Sequence, residues 1–369
     1  MRGGRERLSQ MKFDFKDKDR ARKLTALIED LAPEKRLRFV HVCGTHEATI
    51  TEAGLRSLLP ARVQILEGPG CPVCVTPTSD LDGALELARK GLTVATFGDM
   101  TRVPGTEQSL EEVRSEGADV RTVYGAGEAV ELARSIEGEE VFFGVGFETT
   151  APMTAAVLDS SPPDNFSVLA ANKLIPPAME ALLELPGEGI DGFIAPGHVS
   201  TIIGVRPYED ISRSHDVPVV IGGFEPLDVL YAVGLLLRQL DEGRAEVENG
   251  YERGVDYEGN SRSQEMLEKV FRVEDANWRG IGTIEDSGLG LREKYARWDA
   301  RTKFDLEFET QSEILPGCLC PSILTARATP DQCELFGESC TPRDPYGPCM
   351  VGEEAMCNIW FRYGGRPKL

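Results

Sequence analysis

Short runs rich in valine, isoleucine and phenylalanine alternate with helical patterns along most of the chain. That alternation restricts the fold more than any other feature. The runs are "RFVHV", "VQILEG", "LTVATFG", "VRTVY", "VFFGVG", "FSVLAAN", "GFIAPG" and "VPVVIGG". Between them stand amphipathic stretches such as "DLDGALELARKG", with Asp80 or Ser79 as N-cap and Gly91 as C-cap, "SLEEVRSEG" and "GEAVELARSIEG". Strands that recur after helices pair in parallel, because each crossover returns the chain to the same end of the sheet. Ligands of such sheets bind in the loops at the carboxyl ends of the strands.

An internal repeat refines this picture. "GTHEATI" (44–50) resembles "GHVSTII" (197–203), and "GDMTRVP" (98–104) shares a G-x-x-T-x-x-P frame with "GFETTAP" (146–152). The repeat predicts an α/β fold of two related parallel-sheet lobes with flanking helices. The first spans residues 36–130 and carries the "CGTHE" and "CPVC" loops; the second spans 131–240. Residues 241–300 read as polar and helical, with "GIGTIEDSGLGL" as a loop. Residues 241–369 are expected to form a helical segment plus a small Cys-rich iron–sulfur domain, packed with residues 1–35. The basic N-terminal stretch has no apolar h-region and reads as a frayed start and a solvated helix.

The cysteines fall unevenly. Of nine, three lie in the first 74 residues and six between 318 and 357. The proline-rich tail has too few apolar residues for an ordinary core, so a metal centre is expected to order it. Its thiols are Cys318, Cys320, Cys333, Cys340, Cys349 and Cys357, with no histidine among them. Zinc knuckles favour paired C-x₂₋₄-C spacings, whereas all-thiolate ligation at irregular spacing suits a [4Fe–4S] cluster. Structural zinc and unliganded or disulfide-bonded cysteines stay as alternatives. The expected cluster ligands are Cys318, Cys333, Cys340 and Cys357, with Cys320 and Cys349 as substitutes, since widely separated ligands can wrap a cube.

Charge excludes several partners. With 40 basic against 61 acidic residues the net charge is −21, which repels nucleic acid and anionic membrane surfaces. The apolar run "VLYAVGLLL" is too short to span a bilayer. No G-x-x-x-x-G-K-[ST] occurs, and the G-x-G-x-x-G of Gly187–Gly192 leads into a strand instead of out of one, so no nucleotide fingerprint supports a stand-alone iron–sulfur oxidoreductase acting on a small metabolite. That class stays as an alternative, as does a zinc-stabilised binding module.

Two loops carry reactive chemistry. In "EGPGCPVC", Cys71 and Cys74 form a C-x-x-C between strand and helix, suited to a reversible dithiol or to half a zinc site. In "HVCGTHE", Cys43 follows a strand and precedes Gly44, Thr45, His46 and Glu47. A cysteine after a strand is often packing filler. Here Gly44 is expected to let the backbone turn beside the thiol, the helix start to lower its pKa, and His46 to exchange protons with a ligand. His198 occupies the matching loop of the second lobe. Asp99, Thr101, Arg102, Glu148, Thr149, Thr150 and Glu225 lie on equivalent loops, as ligand contacts or as caps and turns.

Together "CGTHE", "GPGCPVC", "FGDMTRVPG", "GFETTAP", "PGHVSTIIG", "GGFEP" and "CELFGESCTPRDPYGPCMV" resemble the hydrogenase formation protein HypD family over nearly the whole chain. The resemblance implies a cytoplasmic scaffold for [NiFe]-hydrogenase maturation. It implies a HypC-like small chaperone as partner, and a HypE-like cyanide donor supplied in turn by HypF. On the scaffold an iron acquires two cyanides and one carbon monoxide before passing to the hydrogenase large subunit. It further implies a [4Fe–4S] cluster in the tail. On that reading Cys43 is a soft thiolate ligand of the iron, His46 supports it from behind, and Cys71 and Cys74 relay electrons. Thr45, Glu47, Asp99, Thr101, Glu148, Thr149 and His198 would line the site.

Overall fold

A computed structural model describes residues 18–306 and 316–364. Every strand expected from the apolar runs forms. β1 (Leu37–His41), β2 (Val63–Glu67), β7 (Gly192–Pro196), β8 (Val219–Gly222) and β9 (Val247–Asn249) make one parallel sheet in the order β2-β1-β7-β8-β9. β3 (Thr93–Thr96), β4 (Val120–Thr122), β5 (Glu140–Gly146) and β6 (Phe166–Asn172) make a second parallel sheet in the order β4-β3-β5-β6. β1, β5 and β7 are buried along their whole length, as parallel strands covered by helices on both faces must be.

The division at residue 130 does not hold. The chain builds β1 and β2 of the first sheet, crosses to complete the whole second sheet, and returns to add β7 to β9. The repeated loops are therefore neighbours within one sheet. "GTHEATI" and "GHVSTII" follow the adjacent strands β1 and β7, and the two G-x-x-T-x-x-P segments follow the adjacent strands β3 and β5. Sequence similarity reported equivalent positions at strand ends. Strand order, which depends on long-range pairing, was not encoded in it.

Two other expectations change. "GIGTIEDSGLGL" is not a loop: Gly282–Leu291 is β11, paired antiparallel with β10 (Phe271–Trp278). Its Ile284, Leu289 and Leu291 are buried. Its glycines allow close approach to the partner strand, since a Cβ at Gly288 would sit 2.7 Å from the Cβ of Ala276. The tail is no module with its own core. Ile323, Leu324, Met350, Met356 and Trp360 join the cluster that holds Val40, Val42, Phe193 and Ile221 of the first sheet. A segment with so few apolar side chains has to share a core with its neighbour.

The helix Lys18–Leu31 does not pack on the cysteines either. Leu24 and Ile28 are buried with Leu37, Phe39, Leu227 and Leu230, against the helix Pro226–Asp241. That second helix contains "VLYAVGLLL", whose apolar residues are spent on the sheet; among the described residues no helix is long and apolar enough to cross a membrane. Residues 1–17 lie outside the described residues.

Candidate functional site

The carboxyl ends of β1 and β7 face those of β3 and β5 across a cavity of about 650 Å³. Cys43, Thr45, His198, Asp99, Thr149 and Thr150 line it, so both sheets contribute. A pocket of this size suits a small ligand or a metal complex.

Cys43 is the N-cap of the helix Gly44–Glu52 and is 8% exposed. Burial raises its thiol to about 11, outweighing the lowering by the backbone N–H groups of His46 and Thr45. The expected depression by the helix start is thus present but loses to desolvation. A soft metal would have to displace the proton. Gly44 has a different reason from the one expected. A Cβ there would fall 2.1 Å from the carbonyl oxygen of Glu354, so the glycine admits the tail rather than a turn. Gly70 likewise presses on Cys43, its added Cβ lying 2.1 Å from the Cys43 nitrogen.

His46 and Glu47 do not reach the cavity. His46 is wholly buried; its Nε2 lies 3.3 Å from the Gly222 carbonyl oxygen, and its ring stacks on Phe224 at 5.2 Å. Burial and the neighbouring His41 push it down to about 3, so it is neutral and is no proton exchanger at the cavity surface. Glu47 is a hub. Its Oε1 accepts from Thr51 Oγ1 (2.5 Å), Arg56 Nη1 (2.8 Å) and Trp360 Nε1 (2.8 Å). Its Oε2 accepts from Arg56 Nη2 (2.6 Å) and faces His41 Nε2 at 2.9 Å. Burial alone would raise this carboxyl, but the Arg56 charge and the hydrogen bonds of His41 and Arg56 hold it well below the usual carboxylate range. A carboxylate so fully partnered has no lone pair left for a ligand.

Other loop residues divide between the cavity and the framework. Asp99 Oδ2 accepts from the Glu353 N–H at 3.1 Å, and Thr45 Oγ1 donates to Glu354 Oε1 at 3.2 Å. The tail turn at 353–354 therefore straps the loop after β1 to the loop after β3, and Glu354 lines the cavity beside Cys43. Spacing gave no direct signal for these two glutamates beyond their position between Cys349 and Cys357. His198 stacks on Phe224 with ring centroids 3.7 Å apart, a contact that holds its ring at the cavity wall. Thr101 Oγ1 donates to the Gly98 carbonyl at 2.7 Å inside a 3₁₀ turn, and Arg102 donates to the Pro342 carbonyl. Glu225 caps the helix Pro226–Asp241 in a box with Asp228. Glu148 turns away from this cavity, and burial pushes its carboxyl up to about 7.

Cys71 and Cys74 lie beneath the cavity floor, each 1% exposed. The Cys74 N–H donates to Cys71 Sγ at 3.3 Å. Cys74 is also within hydrogen-bonding reach of Cys349, which in turn reaches Cys320 and Cys357, while Cys318 reaches Cys320. A continuous strip of thiols thus runs from the C-x-x-C loop into the tail. Cys320 and Cys349, expected only as substitutes, belong to that strip. Cys333 directs its Sγ to the Gly317 carbonyl at 3.7 Å, and Cys340 Sγ accepts from the Tyr346 N–H at 3.3 Å. Gly347 leaves room for sulfur: a Cβ there would meet both Cys318 Sγ and Cys320 Sγ at 2.8 Å. Among the described residues no three His, Cys, Asp or Glu side chains are grouped as ligands of one ion. The donors gathered here are all thiols, with Gly347 beside two of them. Under Cys71, burial and the charges of Glu47 and Cys71 raise the buried Glu67 carboxyl well above its ordinary value.

Comparison with known proteins follows the same residues. A family model described as "HypD: Hydrogenase formation hypA family" matches residues 19–364. The hydrogenase expression/formation protein HupD of Azotobacter chroococcum is 44% identical, over 95% of this chain and 96% of its own. The hydrogenase maturation factors HypD of Azotobacter vinelandii and Cupriavidus necator are 43% and 42% identical, each over 95% of this chain and 96% of their own.

Proposed function

Since the chain belongs to the HypD family of hydrogenase maturation factors, we propose that it is the scaffold on which an iron acquires cyanide and carbon monoxide, held jointly with a HypC-like chaperone. The observation that carries this reading is Cys43: one buried thiol at the wall of a cavity built from the loops of two sheets. A thiolate is a soft ligand suited to low-spin iron with strong-field partners. One protein thiol leaves the remaining positions to the diatomic ligands and to a thiol of the docked partner. Thr45, Asp99, Thr149, Thr150, His198 and Glu354 supply polar groups around the bound cyanides. A HypE-like protein is the cyanide donor in this scheme, the hydrogenase large subunit receives the finished group, and the cytoplasm is where the reaction takes place. Infrared spectra of the complex purified with its small chaperone test the reading. Cyanide and carbonyl stretches are expected, and their absence from an iron-loaded complex would overturn it.

The tail thiols would hold a [4Fe–4S] cluster, which supplies single electrons when bound. The strip of sulfurs reaching Cys74 supports Cys71 and Cys74 as the dithiol between tail and cavity. Anaerobically purified protein is expected to contain about four irons per chain. Cys333→Ser separates the two ligand readings: lowered iron content keeps Cys333 in the set, whereas full content moves its place to Cys349 or Cys320.

The C-x-x-C pair is expected to titrate as a reversible dithiol. Thiol counts of reduced and mildly oxidised protein should differ by about two, with cluster content unchanged. Zinc bound at Cys71 and Cys74 would argue for a structural site instead.

A further inference from the structure

Behind the loop that follows β5 lies a second cavity of about 390 Å³, separate from the iron-site candidate. Leu174, Ile203, Leu267, Phe271 and Leu289 give it apolar walls, and Glu148 lies among them. Glu148 is 2% exposed. Its Oε1 accepts from the Ile175 N–H at 2.9 Å, while its Oε2 has no hydrogen-bond partner among the described residues. A buried carboxyl oxygen left unpaired gives up its hydration with nothing in exchange, and buried polar atoms are nearly always satisfied in native proteins. Among the described residues the other ionisable side chains on the wall are Glu268 and Arg292, so the cavity holds two carboxyl groups and one guanidinium. The Arg292 Nε donates to the backbone carbonyl of Glu268 at 2.8 Å.

We propose that this cavity binds a small molecule with an apolar body and a single ammonium group, which pairs with Glu148. The volume falls in the range of small-molecule sites, and apolar walls with one buried polar anchor are their usual composition. A cation there would meet the unpaired Oε2 and favour the ionised form of Glu148, which burial alone disfavours. The anchor also couples the two cavities, because Phe147, Thr149 and Thr150 on either side of Glu148 line the first one. Ligand at Glu148 would therefore bias the loop that faces the iron. Nothing in the site depends on the iron-scaffold reading, and its test measures binding directly.

Benzylamine and toluene are suitable probes, alike in their apolar body and differing in the ammonium group. Calorimetric titration of the full chain is expected to show saturable benzylamine binding. Glu148→Gln, which keeps the bond from Ile175, should weaken benzylamine by about tenfold or more and leave toluene unchanged, because only the amine uses the charge. Leu267→Trp, which fills the cavity from the opposite wall, should abolish binding of both. Equal benzylamine affinity in the wild type and Glu148→Gln would overturn the proposal and leave a buried water as the partner of Oε2. So would benzylamine binding that survives Leu267→Trp.

Discussion

Replacing Cys43 with alanine is expected to abolish the cyanide and carbonyl infrared bands proposed for the complex with a small chaperone, and to leave the proposed tail cluster in place. The two halves of this expectation have separate causes. Among the described residues Cys43 contributes the one thiol at the cavity wall, while Cys71 and Cys74 lie beneath the floor, so no second thiolate stands ready to replace it; the other sulfur on the wall is the thioether of Met100. Cys320, Cys349 and Cys357 reach one another and Cys74, and Cys43 takes no part in that strip. Removing one sulfur atom from an N-cap that makes no side-chain capping bond should scarcely disturb the helix Gly44–Glu52. Infrared spectroscopy with iron counting on the same sample reads both outcomes. Retained bands would return Cys43 to the role of packing residue.

Glu47→Ala should destabilise the fold by about 3–5 kcal/mol, the range for removing one partner from a buried ion pair. Arg56 would lose its carboxylate, and the Trp360 indole, the Thr51 hydroxyl and His41 would each lose an acceptor. Trp360→Phe removes one donor from a carboxylate that keeps Arg56 and His41, so a smaller loss of about 1–2 kcal/mol is expected. Urea unfolding of the variants against wild type measures both. The pH dependence has a definite sign. The folded carboxyl is held below its unfolded value near 4.5, so its contribution is complete above that value and disappears as the pH falls toward the folded one. The gap between wild type and Glu47→Ala should therefore narrow in acid. Because Trp360 lies on the tail helix Met356–Tyr363, Glu47→Ala should also loosen the segment that carries Cys357.

That hub shows how residue type and residue role can part. In the "CGTHE" motif, thiol, imidazole and carboxylate stand within five positions, and all three read as site chemistry. A helix begins at Gly44, so successive side chains point in different directions around its axis. Cys43 and Thr45 meet the cavity, His46 turns toward Phe224 and Gly222, and Glu47 turns toward Arg56 and Trp360. The same divergence separates Thr149 and Thr150 from Glu148.

What the sequence determined by itself was local. Apolar periodicity located each strand from β1 to β8, because a strand buried on both faces must be continuously apolar. The repeated motifs located the loops at strand ends, and the crowded thiols marked a tail that could not make a core of its own. The short edge strand β9 and both strands of the β10–β11 hairpin escaped, since none of them carries an uninterrupted apolar run. Tertiary structure alone decided which strands share a sheet, that the tail shares the first sheet's core, and that its turn at 353–354 straps Thr45 to Asp99. It also decided which loop side chains face the cavity and what burial does to the Cys43 thiol. These depend on contacts between residues distant in the chain, and on desolvation by neighbours that no local pattern names.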